Sequence, residues 1–209
     1  NGPTNTHKQY PAMKPATSTS SAWLVRSWNA LLDLLYPPHC VACNRLGAWL
    51  CADCLRAVPR QEGPCCTRCG RPMARAGRLC PNCARGGLAL QGARAVSPHV
   101  PPLREAVHAL KYDGLRVLAE PLSLLLTEVW RSVSWPVDVI VPVPLHERRI
   151  RQRGYNQSLL LAAALSKHLR LELEAQVLVR ERNTRSQVGL EQWERWANVQ
   201  GAFRCRDDS

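Results

Sequence analysis

The sequence predicts an α/β protein with a parallel sheet and a small N-terminal zinc module. Three observations carry that expectation. "VDVIVPVP" (137–144) is a near-continuous apolar run, the pattern of a strand buried on both faces of a parallel sheet. A helix-forming stretch follows, and then a second β-rich stretch, in the spacing of a βαβ unit. Upstream, nine of the ten cysteines lie between Cys40 and Cys83.

In chain order, residues 1–20 are Thr, Ser, Pro and Asn with little to bury, and read as disordered. Met13 is a plausible true start. Residues 21–38 read as an amphipathic helix. Trp23, Leu24, Trp28, Leu31, Leu32 and Leu35 form one stripe, and Pro37 and Pro38 end it.

Residues 39–87 form the cysteine module. Cys40-x2-Cys43, Cys51-x2-Cys54, Cys66-x2-Cys69 and Cys80-x2-Cys83 make eight ligands and two structural zinc sites. Each C-x2-C turn sets two thiolates on one side of a knuckle, and two knuckles complete a tetrahedron. Sequential pairing is expected, although spacing alone leaves interleaved pairing open. Cys65 is the spare thiol beside Cys66, and His39 is a bystander. Thioredoxin-like redox chemistry uses one such pair at a strand-to-helix junction, not four in series.

Residues 88–209 form the larger domain. Residues 93–99 read as a strand. "PLREAVHALKYDG" reads as a helix with Leu103, Val107 and Leu110 on its buried face and Gly114 as its stop. A second helix starts near Ala119, with Pro121 in its first turn. The strand Val137–Val143 then leads through the loop "LHERRIRQRG" to the helix "YNQSLLLAAAL". Gln176–Arg180 reads as the parallel partner strand.

The strand-to-helix loop is the candidate site. A helix N-terminus offers unpaired N–H groups and partial positive charge, so anions settle there. Arg148, Arg149, Arg151 and Arg153 add fork-shaped donors suited to phosphate. Gly154 permits close backbone approach, and Asn156 can cap the helix. A solvated basic loop is the alternative. Further on, Arg180, Arg182, Arg185 and Arg195 interleave with Trp193 and Trp196. That spacing reads as a packing stripe, with base stacking as the second reading.

Charge agrees with an anionic partner. Lys and Arg number 28 against 16 Asp and Glu, a net +12. No apolar run approaches the roughly 20 residues that a membrane span requires. The N-terminal segment lacks an apolar signal core, so a reducing, cytoplasmic setting is expected, where clustered cysteines hold metal.

The chain also resembles the ComF family of phosphoribosyltransferase-like proteins, linked to DNA uptake in competent bacteria. The matching stretches are "LLYPPHCVACN" with its following cysteine pairs, "LREAVHALKYDG", "VPVPLHERRIRQRGYNQSLLLA" and "LVRERNTRSQVGLEQWERWANVQGAF". The resemblance implies a type I phosphoribosyltransferase-like parallel sheet behind a double zinc ribbon. It makes Arg149, Arg151, Arg153, Gly154, Tyr155, Asn156 and Gln157 the pyrophosphate-binding loop. Magnesium and phosphoribosyl pyrophosphate would meet at the sheet mouth, in a glycosyltransferase reaction serving natural competence or nucleotide metabolism. No residue stands out as a general base, so no catalytic residue is named.

One departure qualifies the resemblance. The family continues into an apolar strand ending in two acidic residues and a Thr- and Gly-rich phosphate loop. "RCRDDS" at 204–209 is not that motif, so the sheet is expected to be C-terminally incomplete and the gene to read on past Ser209. The second functional reading is a non-catalytic zinc-containing module for single-stranded DNA. It would be held by Arg148, Arg180, Arg182, Arg185 and Arg195, with the competence machinery as partner.

Overall fold

A computed structural model describes residues 37–86, 90–133 and 135–206. The amphipathic helix expected over 21–38 lies outside these except for its two prolines, as do the 1–20 segment and Asp207–Ser209. The chain divides into two compact units, Asn1–Pro38 and His39–Ser209, and every described element belongs to the second.

Two short helices, α1 (Ala52–Arg56) and α2 (Pro81–Ala84), belong to the cysteine module. Helix α3 (Leu103–Tyr112) buries Ala106, Ala109 and Leu110, with Leu103 and Val107 partly covered. Gly114 follows at φ 75°, a left-handed value that ends the helix at little cost only for glycine. A single 3-10 turn (Arg116–Leu118) leads into α4 (Ala119–Ser132), where Pro121 sits in the first turn as expected. Two polar residues on α4 are buried without penalty. Ser123 Oγ donates to Glu120 O (2.7 Å), and Thr127 Oγ1 donates to Ser123 O (2.9 Å).

Strand β1 is only Val139–Ile140. Pro142 and Pro144 offer no N–H, so the ladder cannot extend through them, and Val141 and Val143 stay exposed. Helix α5 (Glu147–Arg153) forms where a loop was expected. His146 Nδ1 accepts from the Arg148 N–H (3.2 Å) and caps it, and Gly154 ends it at φ 81°. Helix α6 (Gln157–Leu169) packs on α4 and leads to β2 (Glu172–Leu173), which pairs in parallel with β1.

The parallel partner of β1 is therefore β2, not Gln176–Arg180. Strand β3 (Leu178–Arg180) instead pairs antiparallel with β4 (Phe203–Cys205), across α7 (Gln192–Val199). Residues 93–99 form no strand; Ala93 and Val96 make single backbone bonds to Arg68 and Gln61. The expected tryptophan packing stripe on α7 is absent: Trp193 is 73% and Trp196 67% exposed.

The main core joins Val58 to Ala106, Ala109 and Leu110 of α3, Leu118, and Ala119, Leu122 and Leu125 of α4, with Tyr155 beside them. Burying each large aliphatic here contributes about 1.5–3 kcal/mol. Val41, Leu50 and Leu55 of the first cysteine half pack on this core, whereas the second half has a separate cluster of Cys66, Cys80 and Cys83 with Met73. Among the described residues, no helix is long and apolar enough to cross a membrane.

Candidate zinc centres and cationic cleft

The cysteine module is one unit used twice. In the first, Cys40 N–H donates to Arg45 O (2.8 Å), Asn44 N–H donates to Cys40 O (2.8 Å), and His39 bridges Leu46. In the second, Cys66 N–H donates to Arg71 O (2.8 Å), Gly70 N–H to Cys66 O (3.0 Å), and Cys65 bridges Pro72. Asn44 (φ 62°) and Gly70 (φ 69°) hold the left-handed turn. Gly70 has no alternative, because a Cβ there would stand 2.5 Å from Ala93 O. Cys65 is thus the structural counterpart of His39, and neither belongs to the thiol clusters.

Each second knuckle is a helix start, with Cys51 capping α1 and Cys80 preceding Pro81 at the first position of α2. Cys51 N–H points at Cys40 Sγ (3.4 Å) and Cys80 N–H at Cys66 Sγ (3.3 Å). The sulfurs gather as Cys40, Cys43, Cys51, Cys54 and as Cys66, Cys69, Cys80, Cys83, so the pairing is sequential. Cys43 and Cys51 are 3.7 Å apart at sulfur, as are Cys69 and Cys80. A tetrahedron with zinc–sulfur bonds of about 2.3 Å has edges of about 3.8 Å, so both sets fit a four-thiolate zinc ion.

One thiol in each set is already strongly biased toward that charge state, and another against it. Burial raises the Cys40 thiol, but the N–H groups of Cys51, Ala42 and Cys43 outweigh it and bring it down to about 6. The N–H groups of Cys69 and Cys80 likewise bring Cys66 down to about 6. Burial, then hydrogen bonds from neighbouring thiols, push Cys54 up and Cys83 up to about 12. One sulfur in each set therefore ionises early while another holds its proton, until a dication displaces it.

A second feature lies at the junction of α3, α5, α6 and β3. A cleft of about 580 Å³ is lined by Lys111, Arg149, Arg153, Arg180, Arg185 and Arg195, with no acidic residue in its wall among the described residues. Arg149 donates to Thr184 O (3.3 Å), and Arg180 donates to Thr184 Oγ1. Arg180 stands over the Phe203 ring (5.2 Å), and its buried Nε has no partner. Burial, and then the charge of Arg149, weaken its hold on its proton. Arg153 donates to Gln157 Oε1 and lies over the Tyr112 ring (5.2 Å). Arg185 and Arg195 are partly committed as well: Arg185 pairs with Glu194 (3.2 Å), and Arg195 Nε donates to Leu190 O (2.8 Å).

The residues of "RGYNQ" divide by task. Arg153 and Gln157 face the cleft, as does Arg149 upstream. Gly154 closes α5. Tyr155 turns inward, buried, its hydroxyl donating to Leu110 O and its ring under Arg116 (4.6 Å). Asn156 caps α6 by accepting from Ser158 N–H (3.0 Å), and its amide donates to Val143 O (3.1 Å). Arg151 pairs with Glu147 (3.3 Å) on the surface, and Arg148 is exposed outside the cleft wall. Arg182 donates to Asn198 O (3.1 Å) and Gln200 O, closing the C-terminal end of α7. Lys111, Tyr112 and Ser186 line the cleft without having been singled out from sequence. The signal for the first two was a Lys-Tyr pair in the last helical turn before Gly114.

Comparison with known proteins bears on both features. The double zinc ribbon domain matches residues 31–84. DNA utilization protein YhgH of Salmonella typhi is 37% identical over 180 residues, 82% of this chain and 79% of that protein. The Escherichia coli K12 protein of the same name is 35% identical over 181 residues, with the same coverage. Competence protein F of Haemophilus influenzae is 28% identical over 159 residues, 74% of this chain and 69% of that protein. No solved structure matches the chain. With a double zinc ribbon in place and YhgH relatives aligned over most of both lengths, the chain belongs to the ComF/YhgH family of competence and DNA utilization proteins.

Proposed function

We propose that the protein is a phosphoribosyltransferase-like component of DNA uptake or the nucleotide metabolism attached to it, working in the cytoplasm. Its cationic cleft holds the diphosphate of a sugar phosphate such as phosphoribosyl pyrophosphate. The observation that carries this reading is the convergence of Lys111, Arg149, Arg153 and Arg180 on one acid-free cleft, with a buried, unpartnered Arg180 Nε. Cations held close together repel one another, and a diphosphate relieves that repulsion while accepting their hydrogen bonds.

The chemistry is electrostatic. Arg149 and Arg153, with the N-terminal end of α6 behind Gln157, stabilise charge building on a departing pyrophosphate as the ribose carbon becomes electron-poor. Magnesium would supply further charge neutralisation, but no carboxylate lines the described cleft to hold it, so it would enter on the phosphates.

A second reading is favoured by one observation. Trp193 and Trp196 are exposed on either side of Arg195, an arrangement suited to stacking the bases of single-stranded DNA. Calorimetry on zinc-loaded protein separates the two. The sugar-phosphate reading expects phosphoribosyl pyrophosphate to bind and R149Q/R153Q to weaken it by about tenfold to a hundredfold or more, one to two charge-assisted hydrogen bonds' worth. Binding of oligothymidylate alone, lost on replacing Trp193 and Trp196 with alanine, would replace it with the DNA reading.

A further inference from the structure

The two zinc ribbons share one backbone plan but not one surface. In the first, Arg45 and Arg56 both pair with Asp53, and Val41, Leu50, Leu55 and Val58 pack on the main core. Its charges are spent within itself, and its apolar side is spent on the fold. The second ribbon, from Pro64 to Gly86, holds five arginines, Arg68, Arg71, Arg75, Arg78 and Arg85, and no Asp or Glu. Arg71, Arg75, Arg78 and Arg85 are exposed. Arg68 donates to Cys83 O (3.4 Å) and Arg85 to Pro81 O (3.2 Å), while the guanidinium groups of Arg71, Arg75 and Arg78 have no ion-pair or hydrogen-bond partner among the described residues. A zinc ion held by four thiolates carries a net charge of about −2, which leaves this ribbon strongly positive.

From this divergence within a repeat, we infer that the second ribbon is a docking surface for the phosphate backbone of a nucleic acid, separate from the cleft. None of its five arginines lines the cleft. The chemistry of the contact follows from what the ribbon lacks. Between Pro64 and Gly86 there is no Phe, Tyr, Trp or His to stack on a base. Guanidinium forks without a stacking platform bind phosphates, indifferent to sequence. Arg71, Arg75 and Arg78 follow one another at intervals of three or four residues along an exposed loop, so each reaches a different phosphate.

The test is fluorescence anisotropy of a labelled oligothymidylate on the full, zinc-loaded chain over a series of salt concentrations. R71Q/R75Q/R78Q should weaken binding at low salt by at least about tenfold and flatten the log–log salt slope by about 2, the loss of three contacts to a single strand. R56Q, the matched change in the first ribbon, should leave the slope unchanged. Metal analysis should show that the triple variant still holds both zinc ions. Pyrophosphate calorimetry reads the cleft independently, so the ribbon can fail while the cleft stands, or the reverse. An unchanged affinity and slope in the triple variant would overturn the inference. So would displacement of the oligonucleotide by polyglutamate at equal charge, which would mark an acidic protein as the fitting partner.

Discussion

Tyr155 shows how far a single residue can be read from its neighbours. Within "RGYNQ" it stands between a phosphate-suited arginine and a helix cap, and sequence groups it with them. Its hydroxyl instead satisfies Leu110 O, one of the carbonyls left over at the C-terminal end of α3. Replacing Tyr155 with Phe should cost about 1–3 kcal/mol of stability in chemical denaturation, because that buried acceptor loses its donor, and should leave pyrophosphate affinity unchanged. The cysteines are the opposite case. A C-x2-C knuckle is set by local backbone geometry, so all eight ligands and the spare Cys65 were legible from spacing alone. Inductively coupled plasma mass spectrometry should find two zinc ions in the wild-type chain, one lost on Cys66→Ser and none lost on Cys65→Ser.

At the scale of elements, helices were easier to place than strands. The α3, α4 and α6 patterns are self-contained: an apolar face, a proline in a first turn, a glycine after a last one. Strand β3 is not self-contained, because its partner lies beyond α7, and nothing within Gln176–Arg180 distinguishes a parallel neighbour from an antiparallel one. The apolar run at 137–144 promised a longer strand than its two prolines allow. Helix α5 was hidden because its face is arginine rather than apolar, its folding resting on the His146 cap and the Gly154 stop. Leu125, 1% exposed within the core that α3 and α4 share, should cost about 2–5 kcal/mol when cut to alanine, read as a lowered denaturation midpoint. Gly70→Ala should weaken only the second ribbon, seen as easier zinc release to a chelator from that site and not from the first. The new methyl would press on Ala93 O, which belongs to the chain segment laid against that knuckle.

Across the molecule, a net charge of +12 is not spread evenly. Some arginines are structural: Arg116 holds the Gly154–Tyr155 turn, Arg182 caps α7, and Arg45 and Arg56 share Asp53. Two groups of the others gather at the cleft and on the second ribbon. Sequence could count the excess and point to the strand-to-helix junction, but only folding brings Lys111 from α3 and Arg180 from β3 to the same cleft as Arg149 and Arg153. The central claim is that this cleft is a diphosphate site. A crystal structure of the zinc-loaded protein soaked with phosphoribosyl pyrophosphate tests it most directly. The account predicts the diphosphate within hydrogen-bond distance of Arg149 and Arg153, with Arg180 Nε reaching a phosphate oxygen. Diphosphate bound elsewhere, with the arginine cleft holding only water at saturating ligand, would contradict it.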